Sequence, residues 1–349
     1  MLSLTRQKEH LQLVSRTFAV TIPLLSMPLE DYVGMAYLLC RICDTIEDDP
    51  YLPHEEKIEW MGKYAKAVAG EIDDVAFTKE LRPKLAGSNN QYELDLVAEL
   101  PEVLQRLRSY PENIVAIISK TIRIMSAGMS RQQANDVITC QSDLDNYCYS
   151  VAGVVGEMLA QLFMSQCKPF AADPARAMRL AVCFGEGLQM TNILKDIWDD
   201  ASRGVCWLPL NIQNHYDPEE VKTFLSSMDK DEKIRFIREK VSVAFGHLLH
   251  SVDFMLSLPR YAVRIRAFCF VCTAMSFLTL RNIYQNPLFS DAKEIKISRS
   301  DVTSMLRRAK YTGFSNYMLR SFFTRVLGDI PVISEDPAKL YAQVSKWDN

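Results

Sequence analysis

The sequence predicts an all-α protein in a single domain, residues 1–349, with its core over about 3–310. Three observations carry this expectation. Apolar residues recur at helical spacing through nearly all of the 349 residues. No stretch alternates polar and apolar residues over enough length to make a strand. The 13 glycines are sparse, and the 15 prolines fall mostly between the periodic runs, where they separate helices. A hydrophobic content of 48% with 24% charge suits a globular chain with a substantial core.

In chain order, a first amphipathic stretch closes at Ser15-Arg16-Thr17-Phe18. Pro28 to Asp48 follows as a long helix, with Pro28 where a first-turn proline is tolerated. Pro53 to Ala69 is another. Asp73 to Asn90 is the most polar and turn-rich stretch and reads as a surface connection. Tyr92 to Arg108 and Pro111 to Ala127 are two more helices. Asp143 to Phe163 is a long run whose Ala152, Gly153 and Gly156 thin one face. A mid-helix glycine costs about 1 kcal/mol against alanine, so this thin face needs a close helix neighbour or an apolar ligand. Pro174 to Ser202, Asp229 to Leu256, Pro259 to Tyr284, Ser298 to Arg308 and Gly313 to Val326 complete the set.

The net charge of −3 gives no sign of nucleic-acid binding. Met1 to His10 is polar and lacks the apolar core of a signal peptide. The most apolar window, Ala267 to Leu280, is shorter than the roughly 18–20 residues of a spanning helix and is flanked by Arg266 and Arg281. A cytoplasmic protein without a membrane anchor is expected. Two CxxC pairs, Cys40/Cys43 and Cys269/Cys272, lie inside helical patterns and read as buried reduced thiols. His247 and His250 form an HxxH with no carboxylate partner in the sequence.

Two acidic stretches stand out. Tyr37, Arg41, Asp44 and Asp48 recur at i, i+4, i+7 and i+11, on one helix face, and Pro50 follows. Asn192, Asp196 and Asp199 or Asp200 recur in the same way before Arg203-Gly204. Both clusters sit at helix C-termini, where the helix dipole disfavours carboxylates. A solvated acidic helix end is one explanation. A Mg²⁺–diphosphate site is the other, because Mg²⁺ takes one or two carboxylates together with water and phosphate oxygens. No GxxxxGK[ST] loop is present, so the chemistry breaks a carbon–oxygen bond in preference to a phosphorus–oxygen one. The carbocation left behind requires dry apolar walls, for which the Gly153/Gly156 face and Phe268, Phe270 and Phe277 are candidates; ordinary core is the alternative for these phenylalanines.

These motifs together resemble the squalene/phytoene synthase family, the head-to-head trans-prenyltransferases. The resemblance rests on Ser15-Arg16-Thr17-Phe18, on Tyr37, Arg41, Asp44-Thr45 and Asp48-Asp49, on Tyr147-Cys148-Tyr149 with Ala152-Gly153 and Gly156, and on Asn192-Ile193-Leu194-Lys195-Asp196 with Asp200. It runs from the N-terminus to about Arg299. It implies an all-α isoprenoid-synthase bundle around a central cavity. It implies condensation of two farnesyl diphosphates to presqualene diphosphate, followed in the squalene branch by reduction with NADPH.

Carried over by residue, the resemblance makes Asp44, Asp48, Asp196 and Asp200 the Mg²⁺ ligands, with Asn192 beside them. Ser15, Arg16, Tyr37, Arg41, Asn192, Lys195 and Arg203 become contacts of the diphosphates or their metals. Tyr147 becomes the catalytic tyrosine near the reacting allylic carbon. Two positions depart from the family pattern. Lys195 stands where Arg is usual and loses the bidentate fork. Val205 stands where a basic residue is usual, with Arg203 as the nearby substitute. No GxGxxG marks an NADPH site. Dehydrosqualene or phytoene synthase, which omit the reduction, is the alternative activity, and a non-catalytic assembly protein of the same fold is a third reading. Peripheral membrane contact for product release is a further expectation.

Overall fold

The computed structural model describes residues 1–15, 17–85, 90–134, 138–168, 170, 173–202, 205–209, 219, 223–224 and 227–348. Among them the regular structure is helical throughout, with no strand. The chain divides into two compact units: Met1–Asp136 with Gln161–Gln166, and Val137–Ala160 with Cys167–Asn349.

The first unit is built on the Leu29–Glu47 helix. Its Met35, Leu38, Leu39, Ile42, Cys43 and Ile46 have no exposed surface. Each large apolar side chain buried this way contributes about 1.5–3 kcal/mol, an upper figure because the unfolded chain already hides part of it. The Glu112–Gln133 helix packs on this core and runs a full turn and more past the predicted Ala127. Cys43 Sγ lies 3.4 Å from Ser126 Oγ of that helix, and both CxxC pairs are buried thiols outside any disulfide, as expected.

Two sequence expectations change here. The polar stretch after Asp73 contains a helix, Asp74–Lys84. The Asp73 side chain caps it by accepting from the Ala76 amide at 2.7 Å, and Phe77 and Leu81 bury its apolar side. Polar composition masked a period carried by only two residues. Conversely, Tyr92 to Arg108 is two helices, Gln91–Ala98 and Leu100–Leu107, because Pro101 can only sit in the first turn of a new one.

The second unit is assembled around the 29-residue Pro174–Ser202 helix. Lys230–Ser257 packs along it, started by a capping box between Asp229 and Glu232. The Gln141–Cys148 helix continues through a π-helical turn, Tyr149–Gly153, into Val154–Gln166. The thin face of that run is answered by a helix neighbour. A Cβ at Gly156 would meet the Ala181 carbonyl, and one at Gly185 would meet the Ala152 carbonyl. The two helices thus cross backbone to backbone, and only glycine fits at the crossing.

The Val263–Gln285 helix is longer than the apolar window predicted from sequence. It and Gln141–Gln166 are long and apolar enough to cross a membrane, yet both are mostly buried against the rest of the protein. Phe270 and Phe277 pack with Phe245, Phe322 and Phe323 at ring separations of 4.7–5.7 Å, which makes them core side chains. Arg266, read as a charged flank, is fully buried and donates to the Leu258 carbonyl at 2.8 Å and to Asn316 Oδ1 at 2.6 Å. A further helix, Pro337–Val344, was not expected from the sequence.

Candidate active site

In the first unit the predicted ladder forms on one face of Leu29–Glu47. Tyr37 Oη lies 3.4 Å from the Val14 carbonyl, and Arg41 Nη2 donates to Tyr37 Oη at 3.4 Å. Arg41 Nη1 is 3.8 Å from Asp44 Oδ2 and 3.7 Å from Glu93 Oε1, so neither ion pair is tight. The Arg41 Nε is buried and has no hydrogen-bond partner among the described residues. A guanidinium with one unused N–H, beside two carboxylates that only partly satisfy it, suits an incoming anion.

Burial pushes the Asp44 carboxyl up to about 6; Arg41 opposes this, while Asp48 and Glu93 reinforce it. Acid of one sign accumulates here faster than base offsets it. Asp48 is exposed at the helix end, and its amide closes the last turn on the Asp44 carbonyl at 2.8 Å. Asp49 is turned to another task. Its Oδ1 accepts from the Tyr51 and Leu52 amides, both at 2.9 Å, and fixes the turn beyond the helix. Ser15 is buried, and its Oγ caps the next turn through the Phe18 amide at 2.9 Å. Phe18 in turn lies against the Tyr37 ring, 5.1 Å between centroids. Ser15 and Tyr37 are therefore brought together by the chain that follows the first helix. Arg16 lies outside the described residues.

In the second unit Asn192, Lys195, Asp196 and Asp200 all lie on Pro174–Ser202. Asn192 is exposed, Asp196 half-buried and Asp200 buried, whereas Asp199 is exposed. Lys195 Nζ folds back onto its neighbours, 3.1 Å from Asp196 Oδ2 and 3.4 Å from Asn192 Oδ1. As a point charge it offsets part of the negative charge at this end of the helix, without the bidentate fork that an Arg would offer. The Asp200 carbonyl accepts from the Val205 amide at 3.0 Å, which turns the chain at the helix end. Arg203 and Gly204, the expected compensating cation and stop signal, lie outside the described residues.

Tyr147 is buried, and its ring stacks face to face on Trp207, at 4.4 Å and 4° from parallel. Trp207 follows the turn set by Asp200 and Val205, so the acidic helix and the tyrosine are linked through one aromatic pair. Sequence reading did not single out Trp207 or Glu93. A lone aromatic ahead of Pro209 and a single acid on a short helix carry no periodic signal.

The histidine pair also separates. His250 Nε2 lies 2.9 Å from the Glu335 carbonyl and 2.8 Å from Ser334 Oγ. His247 points inward, with Nδ1 3.3 Å from Glu186 Oε2 and Nε2 3.9 Å from Asp145 Oδ1. The carboxylate partners absent from the local sequence come from two other helices.

Comparison with known proteins gives the family of the chain. The squalene/phytoene synthase family profile matches residues 11–301. The chain is 28% identical over 343 residues to squalene synthase BSS of Botryococcus braunii, covering 95% of this chain and 70% of that one. It is 26% identical over 297 residues to the squalene synthase of Schizosaccharomyces pombe, covering 82% of this chain and 60% of that one. The latter relative is thus matched over less than two thirds of its length. The ligand-bound structure of TcSQS shares the fold with a TM-score of 0.71 at 21% identity, over 99% of this chain and 98% of that one. A ligand-bound dehydrosqualene synthase does so with a TM-score of 0.59 at 17% identity, over 88% of this chain and 95% of that one. With the profile spanning most of the sequence and the all-α isoprenoid-synthase fold in place, the chain belongs to the squalene/phytoene synthase family.

Proposed function

We propose that the protein is a Mg²⁺-dependent farnesyltransferase that joins two farnesyl diphosphates head to head to presqualene diphosphate and then yields squalene with NADPH. The observation that carries this reading is the Tyr37–Arg41–Asp44–Asp48 ladder, with its unused Arg41 Nε–H. A donor set of carboxylate oxygens at a helix end fits Mg²⁺, which prefers hard oxygen ligands and keeps waters and phosphate oxygens in its shell. Bound there, Mg²⁺ would neutralise charge that grows on the departing diphosphate.

The chain's own residues do the rest. Asp44 and Asp48 in the first unit, and Asp196 and Asp200 with Asn192 in the second, hold the metals. Arg41, Tyr37, Ser15 and Arg16 hold diphosphate oxygens, and Lys195 and Arg203 supply positive charge near the second acidic helix. Tyr147, kept dry by burial and held flat by Trp207, presents its hydroxyl as the proton-transfer group for the first condensation. NADPH, when bound, would supply the hydride of the second step; no residue of the chain is assigned to it. The C30 product is apolar, so its release by peripheral contact with a bilayer belongs to the same proposal.

The fold shared with a dehydrosqualene synthase favours one second reading, in which the intermediate loses a proton in place of gaining a hydride. Incubation with farnesyl diphosphate and Mg²⁺, with and without NADPH, separates the two. Squalene formed only with NADPH supports the first reading; the same hydrocarbon in both incubations supports the second.

A further inference from the structure

Three buried ionisable side chains in the second unit are unaccounted for by this chemistry. Asp145, Glu186 and His247 come from three helices: Gln141–Cys148, Pro174–Ser202 and Lys230–Ser257. Their exposures are 3%, 0% and 7%. One carboxylate oxygen from each acid and one imidazole nitrogen lie within 4.8 Å of one another. Among the described residues neither oxygen of Glu186 has a hydrogen-bond partner. His247 Nδ1 approaches Oε2 to 3.3 Å, but out of line for a hydrogen bond. A carboxylate sealed from water with both oxygens unsatisfied is costly, and native proteins seldom leave one so.

Among the described residues outside the cluster, none is placed to supply the missing charge to Glu186. The ionisable neighbours that act on Glu186 are Asp145 and Glu335, both of its own sign. Lys240 acts on Asp145, but its ammonium is drawn to Glu239 at 3.3 Å. The thiols of Cys148 and Cys183 are buried beside the cluster. Gln141 Nε2 donates at 2.8 Å to Asp145 Oδ1, the oxygen nearest His247, and so orients that carboxylate.

We propose that Asp145, Glu186 and His247 form a buried site for one first-row transition-metal dication of the Zn²⁺ type, separate from the Mg²⁺-binding aspartates. Two carboxylates and an imidazole match such an ion in charge and in ligand type. Metal–ligand bonds of about 2.0–2.2 Å require ligand–ligand edges of roughly 3.3–3.6 Å in a tetrahedral shell. The present spread of up to 4.8 Å is wider than those edges, so the three side chains would have to draw inward around the ion. Gln141 is the outer-shell partner of the kind such sites use to orient a ligand. The role is structural. The ion pins the turn that carries Tyr147 to the helix that carries Asn192, Asp196 and Asp200. The inference does not depend on the proposed reaction.

Metal content and Co²⁺ spectroscopy test it on the full chain in the Asp44→Asn/Asp48→Asn/Asp196→Asn/Asp200→Asn background, which removes the carboxylates of the other two acidic clusters. The purified protein, desalted into Mg²⁺-free buffer, is expected to carry about one equivalent of transition metal or to take up one equivalent of added Zn²⁺ or Co²⁺. Co²⁺ uptake should give a visible d–d band, and Zn²⁺ should raise the melting temperature because it binds only the folded chain. Glu186→Gln and His247→Asn, near-isosteric changes, should lose the band and the thermal shift, and Gln141→Ala should weaken binding about 10–100-fold. Failure of the folded parent to bind either ion, or to gain stability with Zn²⁺, overturns the proposal and leaves three side chains sharing protons. Retention of the band in Glu186→Gln overturns it equally. If both variants fail to fold, the parent measurements decide alone.

Discussion

The rings of Tyr147 and Trp207 lie 4.4 Å apart and within 4° of parallel. This pair joins the turn before the π-helical segment to the chain leaving the acidic helix. A stacked aromatic pair contributes about 0.5–1.5 kcal/mol beyond the area it buries. Trp207→Ala should therefore cost up to about tenfold in the rate of condensation through misplacement of Tyr147, and Trp207→Phe should recover most of it. Single-turnover formation of presqualene diphosphate measures this, and wild-type rates in Trp207→Ala would show that the stack has no part in placing the phenol.

Tyr147→Phe removes one hydroxyl and leaves the stack. A positioned proton-transfer group contributes about 10²–10⁴-fold, so the first condensation should fall at least ~10²-fold with the fold unchanged. Far-UV circular dichroism and the same single-turnover assay check both halves of the statement.

Asp44 gives a pH dependence with an unusual sign. Its carboxyl is raised by burial to about 6, against an ordinary value of 3.8, so the folded chain holds this proton more tightly than the unfolded one. Stability contributed by Asp44 is present below the ordinary value and is lost as pH rises through about 6. Metal-free Asp44→Asn should match wild type near pH 4 and exceed it above pH 6. Urea unfolding in EDTA across that range reads the difference directly. Mg²⁺ binding must displace the same proton, so apparent Mg²⁺ affinity should drop as pH falls below about 6. Despite its gain in stability, Asp44→Asn should abolish turnover; Asp196→Asn should abolish it too, and full activity in either, or in EDTA, would remove the metal assignment.

The helix crossing predicts a packing effect far from any substrate. Gly156→Ala places a methyl against the Ala181 carbonyl. Overpacking of this kind costs about 1–3 kcal/mol, and here the obstacle is backbone, which yields least. The urea midpoint should fall while the denaturant slope stays constant. An unchanged midpoint would mean the helices separate freely at this point.

The product is the remaining test. With NADPH, squalene should dominate and carry one deuterium from labelled cofactor. Without it, presqualene diphosphate or unsaturated and hydroxylated C30 products should accumulate. A C40 hydrocarbon made from geranylgeranyl diphosphate would assign the chain to the phytoene branch of its family.

What the sequence determined alone is the part governed by period and local punctuation. Pro174–Ser202 was legible end to end, because a 29-residue apolar period between a proline and a turn leaves few alternatives. The Tyr37–Arg41–Asp44–Asp48 face was legible because an ideal helix fixes it. Asp74–Lys84 was missed because two buried residues in a polar stretch make a weak period. Whether the glycines of 153–156 served a ligand or a neighbour was decided by the Ala181 carbonyl, a partner distant in sequence. Only the tertiary structure put Trp207 on Tyr147, Glu93 near Arg41, and Glu186 and Asp145 around His247. Each pairing joins residues on separate elements, and nothing in local spacing encodes which helices will meet. Periodicity tells each helix which face to bury; the packing of those faces decides which polar groups share a dry interior.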